Sequence, residues 1–148
     1  MRKEYYEIIE HTADIGIRVK ADDLAGLFSK AAAAMFDIIV EKKEGNKGIP
    51  FLKEKRGDSQ FKIKLTADNL EELFVTWLSE LLYLFSVREV VPWDFKINNL
   101  DETNLAAVVL AESIAHYRVK TEIKAVTYHE LEVKKVDSEW QGKVIFDV

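Results

Sequence analysis

Apolar and polar residues alternate in two stretches near the start of the chain. Residues 5–11 alternate well enough to predict a first strand, and Ile15, Ile17 and Val19 predict a second one. The polar segment between them, His-Thr-Ala-Asp at residues 11–14, interrupts the alternation. It therefore lies at a strand junction or within a bulge, where either an ordinary turn or a functional site would explain it.

Two longer segments carry apolar residues at three- and four-residue steps, which predicts two amphipathic helices. The first helix is expected over residues 22–39, with Asp22 as its N-cap. The second is expected over residues 68–85, with Asp68 as its N-cap and Glu71 completing a capping box.

The rest of the chain has the pattern of strands joined by turns. Residues 41–58 are rich in charge, Gly and Pro and predict a long surface loop, while residues 116–127 fit neither period. The expected strands are residues 60–66, 90–98 (with Pro92 at an edge or a bulge), 105–114, 131–136 and 143–148. This order predicts an α+β fold, a single two-layer domain of residues 1–148 with two main helices packed on one face of a mixed β-sheet.

Composition narrows the function classes. The chain of 148 residues has no cysteine, which excludes disulfides and thiolate metal sites. Its N-terminus lacks the apolar core of a signal peptide, and no stretch is apolar for long enough to span a bilayer, so a cytoplasmic location without a membrane partner is expected. The net charge of -5 favours a protein partner or a cation over naked nucleic acid, with a local basic patch open around Lys53, Lys55 and Arg56.

Two other kinds of site receive little support from the residue types. His11, His116 and His129 could join a serine and an aspartate in space, but the chain has no glycine-framed serine elbow. An RNA-binding sheet would expose aromatic rings between basic residues. Core packing is the simpler explanation of the rings on the proposed strands, which belong to Tyr5, Tyr6, Phe61, Trp93 and Phe95.

Carboxylates near both ends of the chain suggest a metal site. Asp14 lies in the polar segment, Asp147 is the penultimate residue, and Val148 carries the α-carboxylate. If the last strand lies beside the first two, these groups converge, and two bare carboxylates about 4 Å apart repel by ~4 kcal/mol at an effective dielectric of about 20. Oxygen ligands alone suit Ca²⁺, with Mg²⁺ and Mn²⁺ as alternatives. Otherwise Asp14 belongs to an Asx turn and Asp147 is simply solvated.

Three segments, spread over nearly the whole chain, resemble the archease family. They are EHTADIGI at residues 10–17 with the helix end AAAAMFDII that follows, EELFVTWLSELLYLF at residues 71–85, and EIKAVTYHELEV with GKVIFDV between residues 122 and 148. The resemblance implies a cytoplasmic, non-catalytic activator of the RtcB-type tRNA-splicing ligase. Such a protein promotes guanylylation and multiple turnover of the ligase, broadens its nucleotide use, and reaches tRNA only through the ligase.

The resemblance also implies site residues. The family's metal site uses the aspartate of the HTAD motif and the acidic C-terminus, which here are Asp14, Asp147 and the terminal carboxylate of Val148, with Ca²⁺ as the ion. His11 and His129 match the family pattern and are candidates for ordering the site or contacting the partner. The alternative function is an RNA-binding or chaperone module that assists tRNA-modifying enzymes without a metal.

Overall fold

The structure is a computed structural model that describes residues 5–10, 13–43 and 59–148. The elements within these ranges are β1 (Tyr6–Glu10), β2 (Asp14–Ala21), α1 (Leu24–Ile39), β3 (Val40–Lys42), β4 (Ser59–Thr66), α2 (Leu70–Arg88), β5 (Val90–Leu100), β6 (Asn104–Ser113), a 3₁₀ turn (Ile114–His116), β7 (Tyr117–Val119), β8 (Ala125–Val126), β9 (Glu132–Val136) and β10 (Glu139–Asp147). The α+β class and the two main helices are as predicted. Among the described residues, neither helix is long and apolar enough to cross a lipid bilayer.

The strands that the pattern placed in one mixed sheet divide among three sheets, and every described ladder is antiparallel. The largest sheet has the order β1-β2-β10, with β8 and β9 both paired to the far edge of β10. The second has the order β4-β6-β5, and the third is the short pair β3-β7. The division follows from connectivity, because β5 and β6 pair locally through a tight turn whereas β10 returns to β2 from the far end of the chain.

The two helices pack against strands of both larger sheets. Helix α1 contacts β2 and β5, and α2 contacts β5 and β8. Helix α1 has buried side chains around most of its circumference, including Ala31, Ala32 and Ala34, so it can be covered on more than one side. The helices therefore contact strands of two sheets rather than one, and the small alanine side chains allow this close approach, while Lys30 on the remaining side of α1 is exposed. The indole Nε1 of Trp77 donates to the carbonyl of Phe28 at 2.9 Å and links the helices inside the core.

The first helix is capped one residue later than predicted. Asp23, not Asp22, is the N-cap, and its Oδ1 accepts a hydrogen bond from the Gly26 amide at 2.7 Å. Two adjacent aspartates are equally good caps by type, so the sequence alone does not distinguish them.

The second helix shows the same shift. Asn69 caps it in place of Asp68 by accepting from the Glu72 amide at 2.8 Å. Glu72, rather than Glu71, folds back, and its Oε1 accepts from the Asp68 amide at 3.1 Å. The capping-box chemistry is therefore present but displaced by one residue.

The turns and loops are shorter than predicted where they can be compared. Strand β5 is an edge strand with a register shift at Pro92, as predicted, and it continues to Leu100. Asp101 closes the next turn, with Oδ1 accepting from the Thr103 and Asn104 amides, and these hydrogen bonds lower the pKa of that carboxyl. The expected loop of residues 41–58 begins as strand β3 instead, and residues 44–58, with their basic side chains, lie outside the described residues.

Candidate metal centre

The two ends of the chain meet in the largest sheet. Strand β2 begins at Asp14 and strand β10 ends at Asp147, and the antiparallel register places these residues directly opposite each other. Side chains opposite each other in such a pair lie on the same face, with Cβ atoms about 4.5–5.5 Å apart. The prediction that the last strand lies beside the first two is confirmed. The carboxylates of Asp14 and Asp147 are therefore neighbours.

The end of β10 is held on both sides. Asp147 is opposite Asp14 on one flank and Ala125 on the other, and its carbonyl accepts a hydrogen bond from the Lys124 amide at 2.8 Å. Val148 follows at once and is 37% exposed, so the α-carboxylate is one residue from the pair at the same end of the sheet. A terminus tied in this way is not frayed. All three predicted carboxylates consequently belong to one corner of the fold.

One buried carboxylate oxygen in this corner is an unsatisfied hydrogen-bond acceptor among the described residues. Oδ1 of Asp14 is buried and has no hydrogen-bond partner among residues 5–10, 13–43 and 59–148. A buried polar atom without a partner costs free energy, and a buried charge costs more, unless a cation or a donor satisfies it. The donor set is all oxygen, which fits a hard cation such as Ca²⁺. The residues present thus fit the ion that the resemblance implies.

The described residues supply only part of a coordination shell. Within them, no group of three or more His, Asp or Glu side chains is placed to hold a metal. The corner offers two side-chain carboxylates together with the terminal one, whereas Ca²⁺ takes about 6–8 oxygen ligands. His11, a candidate site residue, and Thr12 next to it lie outside the described residues.

A glycine beside the carboxylate pair permits close strand packing. A Cβ atom on Gly16 would lie 2.5 Å from Cδ1 of Ile145 and 3.0 Å from the Val144 carbonyl oxygen. Glycine therefore allows Ile145, which is 1% exposed, to lie across β2 two residues away from Asp147. This contact, which the sequence analysis missed, supports the register that sets Asp14 opposite Asp147. A glycine inside an alternating strand was the available signal, since it often marks close approach.

A surface excursion lies beside the same corner. Strands β8 and β9 flank β10 at Phe146 and Lys143, which leaves five residues, 127–131, opposite only two of β10. Thr127 fixes the base of the excursion, because its amide and its Oγ1 both donate to the Ile145 carbonyl, at 3.1 and 2.8 Å. This is why residues 116–127 followed neither period: they form short strands and a 3₁₀ turn that lead into an irregular segment.

His129 lies on this excursion, exposed to solvent. Its side chain is 65% exposed, and its Nε2 is 3.1 Å from Oε2 of Glu130. The other oxygen of Glu130 pairs with the Lys143 ammonium at 2.6 Å, which anchors the excursion to β10. Tyr128 beside it is exposed as well. His129 is thus placed on the surface, and no hydrogen bond among the described residues joins it to Asp14 or Asp147.

The aromatic rings considered for RNA stacking are mostly core residues. Tyr6 is buried, and its hydroxyl donates to Oδ2 of Asp37 at 2.9 Å. Tyr5, Phe61 and Phe95 are partly buried and pack against the core. The core-packing explanation is confirmed for these four rings, whereas the fifth, Trp93, is 37% exposed on β5.

Comparisons with known proteins agree over the whole length. A profile of the archease protein family (MTH1598/TM1083) matches residues 6–148. Protein archease of Methanosarcina mazei is 37% identical, and that of Methanosarcina barkeri 38%, each over 97% of this chain and 95% of the relative. The solution structure of Methanobacterium thermoautotrophicum protein 1598 has a TM-score of 0.67 at 26% identity and covers 99% of this chain and 100% of that one. The crystal structure of a Thermotoga maritima archease, described as a possible chaperone, has a TM-score of 0.60 at 22% identity, with coverage of 100% and 98%, and shares the fold.

Proposed function

Since the chain belongs to the archease family, we propose that it is a non-catalytic activator of an RtcB-type tRNA-splicing ligase. In this proposal Asp14, Asp147 and the terminal carboxylate of Val148 hold a divalent cation on which the activation depends. The observation that carries the proposal is the register of β2 and β10, which sets two carboxylates directly opposite each other, one with a buried oxygen that no described residue satisfies. Paired anions without a counter-ion are unfavourable, so the corner is suited to binding a cation.

Ca²⁺ is the ion we propose, with Mg²⁺ and Mn²⁺ as alternatives of the same oxygen preference. Held by Asp14, Asp147 and the terminal carboxylate, such an ion would supply positive charge that offsets charge developing on a nucleotide triphosphate as pyrophosphate leaves. The chain's own carboxylates position that charge at an exposed corner, and their small number leaves coordination positions for groups of a partner. In a second version of the mechanism, the corner with its ion would bind one conformation of the ligase more tightly and so stabilise the conformation that is competent for guanylylation.

The excursion at residues 127–131 is the partner-contacting surface in this proposal. It presents Tyr128 and His129 to solvent beside the carboxylate corner, while Thr127 and the pair of Lys143 with Glu130 hold its base. His11 is adjacent in sequence to the corner and is proposed to order the site or contact the partner. The protein would act in the cytoplasm and reach tRNA through the ligase, promoting repeated turnover and broader nucleotide use.

The test is transfer of label from GTP to the ligase, with the ligase in excess of this protein so that repeated activation is required. We expect Asp14→Ala and Asp147→Ala to fold but to leave guanylylation at the level of the ligase alone. Asp22→Ala is the matched control, because Asp22 is exposed and is not the helix cap. If either variant stimulates guanylylation as strongly as the wild type, that carboxylate is not required for activation and the proposed mechanism is wrong.

The alternative function is that of a chaperone or RNA-binding module that assists tRNA-modifying enzymes. The description of the Thermotoga maritima archease as a possible chaperone supports this alternative. This function needs no metal. It predicts that the protein suppresses aggregation of such an enzyme equally well in chelator and in Ca²⁺. The activator proposal predicts instead that chelator abolishes the effect on the ligase.

A further inference from the structure

The outer face of the three-stranded sheet carries three exposed lysines. Along β4 the side chains alternate, with Ile63 buried towards the core and Lys62 and Lys64 exposed on the other side. On β5, Phe95 packs on the core and Lys96 is exposed. We call the surface formed by Lys62, Lys64 and Lys96 the lysine face.

The strand registers bring these lysines close together. Lys62 and Lys96 are both paired with Val108 of the central strand β6, one from each side. With neighbouring strands about 4.8 Å apart, their Cα atoms are about 10 Å apart, and Lys64 is about 7 Å from Lys62 along β4. Among the residues that the structure describes, none of the three is paired with a carboxylate. Three ammonium groups therefore share one small patch.

This patch contrasts with the rest of the chain. The protein has 26 acidic and 21 basic residues, yet the positions that flank β6 on this face hold three lysines and a single acid, Asp94. The strip between them consists of Ala106, Val108 and Leu110, which are partly exposed and carry neither charge nor ring. A positive patch on an otherwise acidic protein attracts an anionic partner more strongly than the surrounding surface does.

We propose that the lysine face contacts the phosphate backbone of RNA, independently of sequence. Lysine acts on phosphate as a point charge, and the face offers no aromatic ring on which a base would stack. The lysines are spread over about 10 Å across the sheet, so successive phosphates of an extended strand match them better than one small anion does. The inference rests on the proposed function in one respect: the ligase substrate is the RNA that would be present. In that setting the face would add a direct RNA contact to the access through the ligase proposed above, on a side of the fold separate from the carboxylate corner.

The test measures binding of a fluorescent single-stranded RNA to the isolated protein by anisotropy, with no ligase and with chelator present. Three phosphate contacts on a single strand predict a slope of log Kobs against log salt of about -2, which weakens binding by about 20-fold between 50 and 200 mM salt. We expect the triple variant K62Q/K64Q/K96Q to lose at least tenfold in affinity at the lower salt concentration and to lose the salt dependence.

The matched control is K20Q/K120Q/K135Q, which removes three exposed lysines from other elements and changes the net charge equally. We expect it to retain both the affinity and the slope. Equal weakening in the control, or no RNA binding by the wild type, overturns the proposal. If the wild type binds no RNA while the lysine-face variant binds the ligase less well, the patch contacts an acidic protein surface instead.

Failure of the RNA-binding proposal can be distinguished from failure of the proposed ligase activation. Guanylylation of the ligase by GTP needs no RNA, so the lysine-face variant should still stimulate it as the wild type does. Conversely, Asp147→Ala should bind RNA normally. Each of the two proposals can thus fail alone.

Discussion

The carboxylate corner makes a quantitative prediction about stability. At about 5 Å, two unit charges repel by about 3 kcal/mol at an effective dielectric of 20 and by about 0.8 kcal/mol in water. Asp147 is exposed whereas one oxygen of Asp14 is buried, so we take a value near the lower limit, about 1 kcal/mol. Without metal, Asp147→Asn should therefore stabilise the protein by about 1 kcal/mol and raise Tm by about 2–4 °C.

With Ca²⁺ present, the wild type should instead be more stable than Asp147→Asn. A ligand at 100 times its Kd stabilises the folded state by about 2.7 kcal/mol, which corresponds to about 5–10 °C in a chain of this size. The wild type should gain this shift, while Asp147→Asn should gain little because one ligand is lost. The two melting curves are thus expected to cross between chelator and Ca²⁺.

Calorimetric or fluorescence melting in chelator, Ca²⁺, Mg²⁺ and Mn²⁺ measures both effects, with Asp22→Asn as the control for charge removal at an exposed site. The reasoning is refuted if none of the three ions shifts the wild-type Tm. It is equally refuted if Asp147→Asn is less stable than the wild type in chelator, because the carboxylate would then already have a favourable partner within the protein.

Three further predictions concern the surroundings of the site and the core. Gly16→Ala should cost about 1–3 kcal/mol in urea unfolding by overpacking, and adding Ile145→Val should recover part of the loss, whereas an unchanged midpoint would contradict the close contact. Lys42→Met should cost about 1–3 kcal/mol, because the ammonium 3.3 Å from Glu112 is lost and that carboxylate is 1% exposed; a stability within 0.5 kcal/mol of wild type would contradict this. Burial, followed by the negative charge of a nearby aspartate, raises the pKa of Tyr5 to about 12, above its unfolded value of about 10. The stability it contributes should be present below pH 10 and fall between pH 10 and 12, and Tyr5→Phe should flatten that fall in alkaline unfolding.

Local elements were predictable because local chemistry determines them. The three- and four-residue steps identified both helices, and the proline of β5 indicated the edge and the bulge that the strand has. The caps were misplaced by one residue because Asp22 and Asp23, and likewise Asp68 and Asn69, have equal capping ability. Only the position of the first helical turn, which tertiary packing fixes, decides between them.

Long-range pairing was less predictable, with one exception. The assignment of β5 and β10 to different sheets leaves no local trace in the sequence. The excursion at residues 127–131 arises because five residues between β8 and β9 lie opposite only two residues of β10. The hydrophobic periodicity of the sequence contains no sign of this mismatch. The exception is the convergence of Asp14 with Asp147, which the carboxylates near both ends of the sequence suggested and which the register of β2 and β10 confirms.

The carboxylate corner depends on completion of the fold rather than on any local motif. Residues 14 and 147 are 133 positions apart, and closing a loop of that length costs about 4 kcal/mol of chain entropy before any constant term. That cost is met by β10, which lies between β2 on one side and β8 and β9 on the other, with Val144 and Phe146 buried in the core. The two acids consequently become neighbours only in the folded chain, where their repulsion opposes closure and a bound cation would favour it. If the corner binds an ion, as proposed, binding should be proportional to the native population, so that ion binding and the integrity of the last strand would be thermodynamically coupled.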